Sequence, residues 1–190
     1  MAAMGTECTD LEFNGAKLSG ISFTRFFQIN STTGAVSNIR YHRFSDLNTL
    51  VYAGAASPGN FYAAGVNGSG NAGGVFVRIN ANTGVATLIG RLGNGLTSAG
   101  DLIILNGTLF ALVNKPGSAT TWLAKINPAT GKATLVGNTG HPDARGLEIR
   151  SGVMLAAAAN GRIMRLNSQS GVAAIVGSNS VSMGGLAKSP

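Results

Sequence analysis

The sequence predicts an all-β fold, a small β-propeller of four blades with four antiparallel strands each. Three observations predict it. Glycine fills 28 of 190 positions while charged residues make up 11% of the chain, a composition typical of short strands joined by tight turns. One turn motif recurs four times, and a hairpin signal precedes each copy. The resulting units have the length of a propeller blade, roughly 40–50 residues.

The recurring motif is an aliphatic residue followed by Asn-x-x-Thr/Ser-Gly and then by a second apolar strand. The asparagine side chain can accept a hydrogen bond from the backbone amide two residues later and thereby close an Asx turn. The glycine supplies the positive φ that such a hairpin loop requires. Calcium ligation by the asparagines is the alternative, but it lacks acidic partners at nearby spacing. The turn residues are Asn30 with Gly34, Asn80 with Gly84, Asn127 with Gly131, and Asn167 with Gly171.

A second hairpin precedes each of these turns. Asn14-Gly15, Asn106-Gly107 and Ser151-Gly152 each lie between two apolar stretches, which is a strong short-range hairpin signal. The second copy is longer and turns at residues 57–60. We therefore expect one domain over residues 1–190, with blades at 10–40, 46–90, 101–137 and 146–177 and a tail at 178–190 that closes the ring. A stack of hairpins is the alternative, but a propeller covers its sheet faces with neighbouring blades.

One repeat carries a resemblance to a known family. The phrase Lys125-Ile126-Asn127-Pro128-Ala129-Thr130-Gly131-Lys132-Ala133-Thr134-Leu135-Val136-Gly137 resembles the Asn-Pro-x-Thr-Gly-x-Ala-Thr-Leu-Ile/Val-Gly repeat of bacterial and phage surface-type β-propellers. The resemblance covers most of the chain in degenerate form, and the first copy departs most from the pattern. It implies the propeller architecture and says little about a ligand, because the motif encodes turns and strands.

Charge and targeting signals narrow the function classes. The formal net charge is +7 and the isoelectric point is about 10.2. Such an excess can attract nucleic acid, anionic glycans, membranes or acidic protein surfaces, but the scattered positives are also typical of a solvated surface with few acids. No basic run or aromatic-rich motif accompanies the charges, so nucleic-acid binding is not predicted. The N-terminal residues lack the pattern of a secretory signal, and the longest apolar run, 153–159, is too short to cross a membrane. Cys8 is the sole cysteine.

The sequence contains no clear arrangement of side chains typical of an active site, and we therefore predict no catalytic residue, no cofactor and no metal. No nucleophile elbow, phosphate loop or metal-ligand spacing is present, and His141 with Asp101 makes only a weak metal candidate. Aspartates recur at the predicted strand starts, at Asp10, Asp46 and Asp101, with Asp143 near the fourth. In a ring they would converge near one mouth of the channel. They could bind a cation or act in acid–base chemistry, or they could bond backbone amides between blades.

Candidate binding residues follow from the repeat. Arg78, Lys125 and Arg165, with Gln28 in the first copy, each lie two residues before a turn asparagine. Equivalent positions face the same side, so these cations are candidates for contacting an acidic partner or glycan, or are simply solvated strand positions. Trp122 is a candidate for stacking on a sugar, although blade packing explains it as well.

These observations favour a non-enzymatic propeller in a larger assembly over an enzyme. The resemblance to surface-type repeats, without a signal peptide or disulfide, fits a phage-like virion component, such as a capsid decoration or tail protein. Such a protein would be made in a cytoplasm and would work in a virion or another extracellular assembly. Its partners would be other protein chains. The alternative is a carbohydrate-binding, lectin-like propeller, although Trp122 has no counterpart in the other repeats.

Overall fold

The computed structural model describes residues 7–66 and 72–181 and confirms the predicted β-propeller. It contains four sheets of four antiparallel strands, and in each sheet the strands follow one another in chain order. A 3₁₀ turn at Gly54–Ala56 interrupts the second blade. The strands are β1 (Asp10–Asn14), β2 (Lys17–Ile21), β3 (Arg25–Ile29), β4 (Val36–Tyr41), β5 (Val51–Tyr52), β6 (Asn60–Ala64), β7 (Val75–Asn80), β8 (Ala86–Arg91), β9 (Thr97–Leu105), β10 (Thr108–Asn114), β11 (Thr121–Ile126), β12 (Ala133–Asn138), β13 (Ala144–Arg150), β14 (Val153–Ala158), β15 (Arg162–Leu166) and β16 (Ala173–Ser178).

The hairpins between the first two strands of the third and fourth blades are two-residue turns. Asn106 and Gly107 have φ values of 50° and 75°, and Ser151 and Gly152 have 51° and 76°. Two consecutive positive φ angles define a type I′ turn, whose twist matches that of the flanking strands. The short turn thereby fixes the register in which β9 pairs with β10 and β13 with β14.

The repeated turn has the same backbone in all four blades. The glycine amide donates to the asparagine carbonyl at 2.8 Å in each copy, and the glycine φ lies between 68° and 75°. The asparagine Oδ1 also accepts amides inside the loop, as Asn80 does from Asn82 and Thr83 at 3.0 Å. In the Asn127 turn the Oδ1 accepts the amide of Ala129 at 2.9 Å.

Two blades begin differently from the pattern in the sequence. In the second blade the innermost strand β5 has only two residues, and Leu47 adds an isolated bridge to Gly65. In the third blade β9 begins at Thr97, ahead of Asp101, because a register shift between Ala111 and Val113 of β10 lets residues 97–98 pair as well. Such bulges bend and extend a strand without a strong mark in the sequence.

The hydrophobic core lies between consecutive blades. One cluster joins the first and second blades around Phe26 and Phe61, whose ring centroids are 5.6 Å apart. A second joins the second and third blades around Phe76, and a third joins the third and fourth around Leu112. Consecutive sheets thus bury apolar faces against each other, which is what holds a propeller together.

The predicted closing tail is described only in part. Residues 182–190 of the predicted 178–190 segment lie outside the described residues, whereas Ser178 ends β16. Within the described ranges the chain has no helix of the length and apolar character needed to cross a membrane.

Candidate functional site

The first strands of the four blades, β1, β5, β9 and β13, enclose a cavity of about 670 Å³, here called the central channel. Its walls are mainly apolar, with Leu11, Val51 and Leu147 among the lining residues. Four of the seven acidic residues of the chain also line it, while the described lysines and arginines do not. The acidic residues of the channel are Asp10, Glu12, Asp101 and Glu148.

Asp10 and Asp101 occupy equivalent places in the first and third blades. Asp10 Oδ1 accepts the amide of Leu11 at 2.8 Å, and its Oδ2 accepts the amide of Leu50 in the second blade at 2.6 Å. Asp101 repeats this arrangement with Leu102 at 2.7 Å and with Leu147 in the fourth blade at 2.6 Å. Each carboxyl group therefore links its own inner strand to that of the next blade.

The same two carboxyl groups interact with each other in the channel. Burial raises the pKa of Asp10 to about 8, against the lowering effect of the Leu50 and Leu11 amides. Burial, and next the charge of Asp10, raises the pKa of Asp101 well above its ordinary range. Two adjacent buried carboxylates strongly disfavour double ionisation. The pair therefore retains a proton at neutral pH.

Glu12 and Glu148 form a second, less buried layer of the channel. Glu12 Oε1 accepts the amide of Tyr52 in the second blade at 3.3 Å, and Glu148 Oε1 accepts the amide of Ile149 at 2.7 Å. Burial raises the pKa of Glu12 to about 7, and the nearby Glu148 charge adds to the rise. Sequence reasoning missed both glutamates, although Glu12 lies two residues after Asp10, on the same face of a strand.

The predicted aspartate ring is wrong at two of its four positions. Asp10 accepts the amide of Leu50 from the second blade. Thr49, the residue before Leu50, therefore occupies the position in the second blade that is equivalent to Asp10. The Thr49 hydroxyl hydrogen-bonds the backbone of Ala64. Asp46 lies in the preceding loop at φ 64°. In the fourth blade Gly146 occupies the position equivalent to Asp10 and Asp101. Asp143 is exposed and pairs with Arg145 at 3.4 Å.

The predicted binding cations occupy matching places on the third strand of their blades. Arg78, Lys125 and Arg165 are exposed and pair in register with β6, β10 and β14. They lie outside the central channel. Gln28, at the same place in the first blade, bonds Asn38 and the carbonyl of Ala81.

Trp122 lies at the edge of the core between the second and third blades. Its Nε1 donates to Ser118 Oγ at 2.9 Å, and Lys115 Nζ lies 4.3 Å from the ring centroid. Thr120 Oγ1, in the same loop, donates to Asn138 Oδ1 at 2.7 Å. The indole is therefore held by its own loop, and the Lys115 ammonium group covers one ring face.

The remaining candidates for chemistry are separated from one another. His42 is buried, with Nε2 3.1 Å from the carbonyl of Ser22, and burial lowers its pKa. Burial raises the pKa of the Cys8 thiol to about 11, so it is protonated at neutral pH. In the part of the chain that the structure describes, no three His, Cys, Asp or Glu side chains are arranged to hold a metal ion.

Comparison with known proteins supports the fold. No family model and no curated protein matches the chain, but many solved structures do. Xyloglucan PUL GH43B of Bacteroides ovatus has a TM-score of 0.59 at 16% identity, over 90% of this chain and 40% of that one. The PQQ-bound aldose sugar dehydrogenase of Streptomyces coelicolor has a TM-score of 0.58 at 13% identity, over 85% and 60%. An oligogalacturonate lyase in complex with manganese has a TM-score of 0.53 at 12% identity, over 89% and 52%.

The chain therefore spans less than two thirds of each of these proteins. At such low identity the likeness shows the architecture alone, because a propeller supports many unrelated functions.

Proposed function

We propose that this chain is a non-enzymatic β-propeller that works by binding other protein chains in a larger assembly. The observation that carries this proposal is the separation of charge between channel and exterior. Four carboxyl groups line the channel, whereas the described lysines and arginines, apart from Arg25 and Lys115, are exposed. A basic exterior attracts partners with acidic surfaces and speeds their encounter.

The use of the channel carboxyl groups supports a structural role for them. Asp10 and Asp101 each accept two backbone amides, one of them from the next blade. These oxygens are therefore committed to holding inner strands in place. A general base needs a free oxygen within hydrogen-bond reach of its substrate. This arrangement supports a functional surface on the exterior, where the cations are.

A phage-like virion, with this chain as a capsid decoration or tail component, is the assembly that we propose. The resemblance of residues 125–137 to the repeats of surface-type propellers supports it. In an ordered array, many weak contacts combine into strong attachment, so each propeller needs only modest affinity for its neighbours. The mechanism is thus the presentation of a rigid basic surface in many copies.

Retention on immobilised poly-L-glutamate tests the role of the exterior cations. We expect the protein to be retained at low salt and released as salt screens the contacts. The triple variant Arg78→Gln, Lys125→Gln, Arg165→Gln gives three blades the residue that the first blade has at Gln28. It should elute at clearly lower salt than the wild type while keeping the same melting temperature.

A charge-matched triple variant is the control for this experiment. Lys17, Arg150 and Arg162 are also exposed, and their replacement by Gln removes the same charge from other places. We expect the control to elute between the wild type and the first variant. Equal elution of the two triple variants would contradict a specific role for the third-strand cations. A wild type that passes through at low salt would contradict the acidic-partner proposal.

Carbohydrate binding is the second candidate, and Trp122 is the observation that favours it. Its indole lies beside the hydroxyl groups of Ser118 and Thr120, and aromatic rings with polar neighbours suit sugar recognition. A glycan-binding screen at two salt concentrations distinguishes the candidates. Salt-resistant binding of a neutral glycan that Trp122→Ala abolishes would favour this candidate over the assembly proposal.

A further inference from the structure

The junctions between blades follow a repeated contact. Gly90 on β8 faces the turn of the third blade so closely that a Cβ atom there would collide with the carbonyl oxygen of Thr130. Gly137 on β12 faces the turn of the fourth blade in the same way, and its Cβ would collide with the carbonyl oxygen of Ser170. The glycine of an outer strand therefore receives the Thr/Ser-Gly turn of the following blade.

The fourth blade has an outer strand of the same kind. In the part of the chain that the structure describes, no turn contacts its glycine. Gly177 on β16 is the counterpart of Gly90 and Gly137 in the aligned Ala-x-x-x-Gly segments, and among the residues that the structure describes a Cβ atom there would meet nothing within 4 Å. Its neighbour Val176 is 59% exposed. The equivalent residues Ile89 and Val136 are partly buried and pack on the cores between blades.

Exposed aliphatic side chains extend around Gly177. We call the group Val172, Ile175, Val176 and Val181 the terminal apolar face. Its members are 49–64% exposed, which is unusual for four large apolar residues within one short segment. In a repeat array the end unit exposes the surface that every internal unit covers. Val176 is the member that differs from the covered junction at Gly90, because Val85 and Leu88, the counterparts there of Val172 and Ile175, are themselves 61% and 49% exposed.

Among the described residues, the first blade carries a turn that can partner this face. The turn at residues 30–34 has the backbone of the other three turns, with the Gly34 amide 2.8 Å from the carbonyl of Asn30 and φ 72°. Gly34 is only half-buried, whereas Gly84, Gly131 and Gly171 are buried. The first blade therefore presents a turn of the type that a receiving strand accepts.

We propose that the terminal apolar face of one copy binds the residue 30–34 turn of a second copy of this chain. The contact would extend the blade junction from one molecule to the next. It joins two different surfaces, so it is heterologous and builds rings or filaments rather than a two-fold dimer. This inference rests on the proposed function and gives the assembly its self-contact.

Two single variants, each blocking one side of the contact, test the inference in the purified 190-residue chain by sedimentation velocity. Val176→Glu places a charge on the receiving face. Gly34→Asn places a side chain on the turn, at the counterpart of Gly131 and Gly171, where a Cβ atom would press on the backbone of the receiving strand, and asparagine tolerates the positive φ of this position. We expect the wild type to form species larger than a dimer at high concentration and each variant alone to remain monomeric. Mixed together, they should form dimers and nothing larger, because one open contact remains between them.

A matched substitution and a truncation complete the experiment. Val85 in the second blade is 61% exposed but lies outside the terminal apolar face, so Val85→Glu should assemble like the wild type. A wild type that stays monomeric at all concentrations would overturn the inference. So would assembly that Val176→Glu leaves unchanged. If the wild type is monomeric and removal of residues 182–190 makes it assemble, the chain's own last residues occupy the face and the inference is wrong.

The failure of this inference differs from the failure of the proposed function. Purified protein that stays monomeric, yet binds poly-L-glutamate through Arg78, Lys125 and Arg165, would contradict only the self-contact. Protein that self-assembles through Val176 but ignores poly-L-glutamate at low salt would contradict only the acidic-partner proposal.

Discussion

Among individual residues, Asp10 and Asp101 have the largest structural role in the channel. The sequence alone predicted that both would lie near it. Each side chain links one inner strand to the next at 2.6 Å. Asp101 is only 4% exposed, and Asp10 is half-buried. A buried carboxyl group is tolerated where hydrogen bonds satisfy it and where it keeps its proton. These two residues therefore connect blades one to two and three to four.

The raised pKa values make stability depend on pH. An aspartate in an unfolded chain has a pKa of about 3.9, whereas Asp10 in the fold has a pKa of about 8. The folded state then binds more protons than the unfolded state between these values. We expect the free energy of unfolding to fall as pH rises from about 4 to about 8. Urea denaturation across this range measures it.

Asp101→Asn is the variant that tests the origin of this pH dependence. It removes one titrating group and one acceptor for the Leu147 amide. We expect it to lower stability at pH 5 by about 1–3 kcal/mol and to flatten the pH dependence. Asp46→Asn is the control, because Asp46 lies outside the channel. An unchanged slope in the Asp101 variant would show that the channel pair does not titrate as described.

The sequence could identify Asp10 and Asp101 but not the whole channel. Both precede a leucine at the start of an apolar strand, and that pattern is visible without a structure. Asp46 shows the same kind of start, yet the true inner strand begins at Val51 after a loop. Strand position within a blade depends on which amides the neighbouring blade presents. A single sequence does not contain that information.

For the strands and turns, the repeated Asn-x-x-Thr/Ser-Gly segment explains most of the architecture. Its glycine does two things at once, since it adopts a positive φ and lets the turn approach the preceding blade. At Gly131 a Cβ atom would lie 3.1 Å from both the Gly90 carbonyl carbon and the Phe76 Cβ. The positive φ was predictable from the motif. The close approach was not, because it depends on how blades pack.

A pair of glycine substitutions separates these two roles. Gly131 and Gly140 have φ values of 73° and 76°, but a Cβ at Gly140 would meet nothing within 4 Å. Gly140→Ala should therefore cost roughly 1–2 kcal/mol for the left-handed backbone. Gly131→Ala should cost about 1–3 kcal/mol more, since it also overpacks the junction. Equal losses in chemical denaturation would contradict the packing role of the turn.

For the molecule as a whole, the described residues form four similar blades with three buried junctions, and the first and fourth blades carry matching surfaces. The repeat length and the hairpin signals were enough to predict the number of blades. The end surfaces were not predictable, because Val176 has the same sequence context as Val136 and differs only in what covers it. The assembly proposal therefore rests on two features of the exterior, which are its basic charge and the exposed terminal apolar face.

The native mass of the protein in extracts of its source tests the assembly proposal most directly. Sedimentation with mass detection, at low and at raised salt, reports it without a prior choice of partner. We expect the chain to sediment in a particle of roughly megadalton size, as avidity among many copies requires. A single 19.2 kDa species at both salt concentrations would contradict the account.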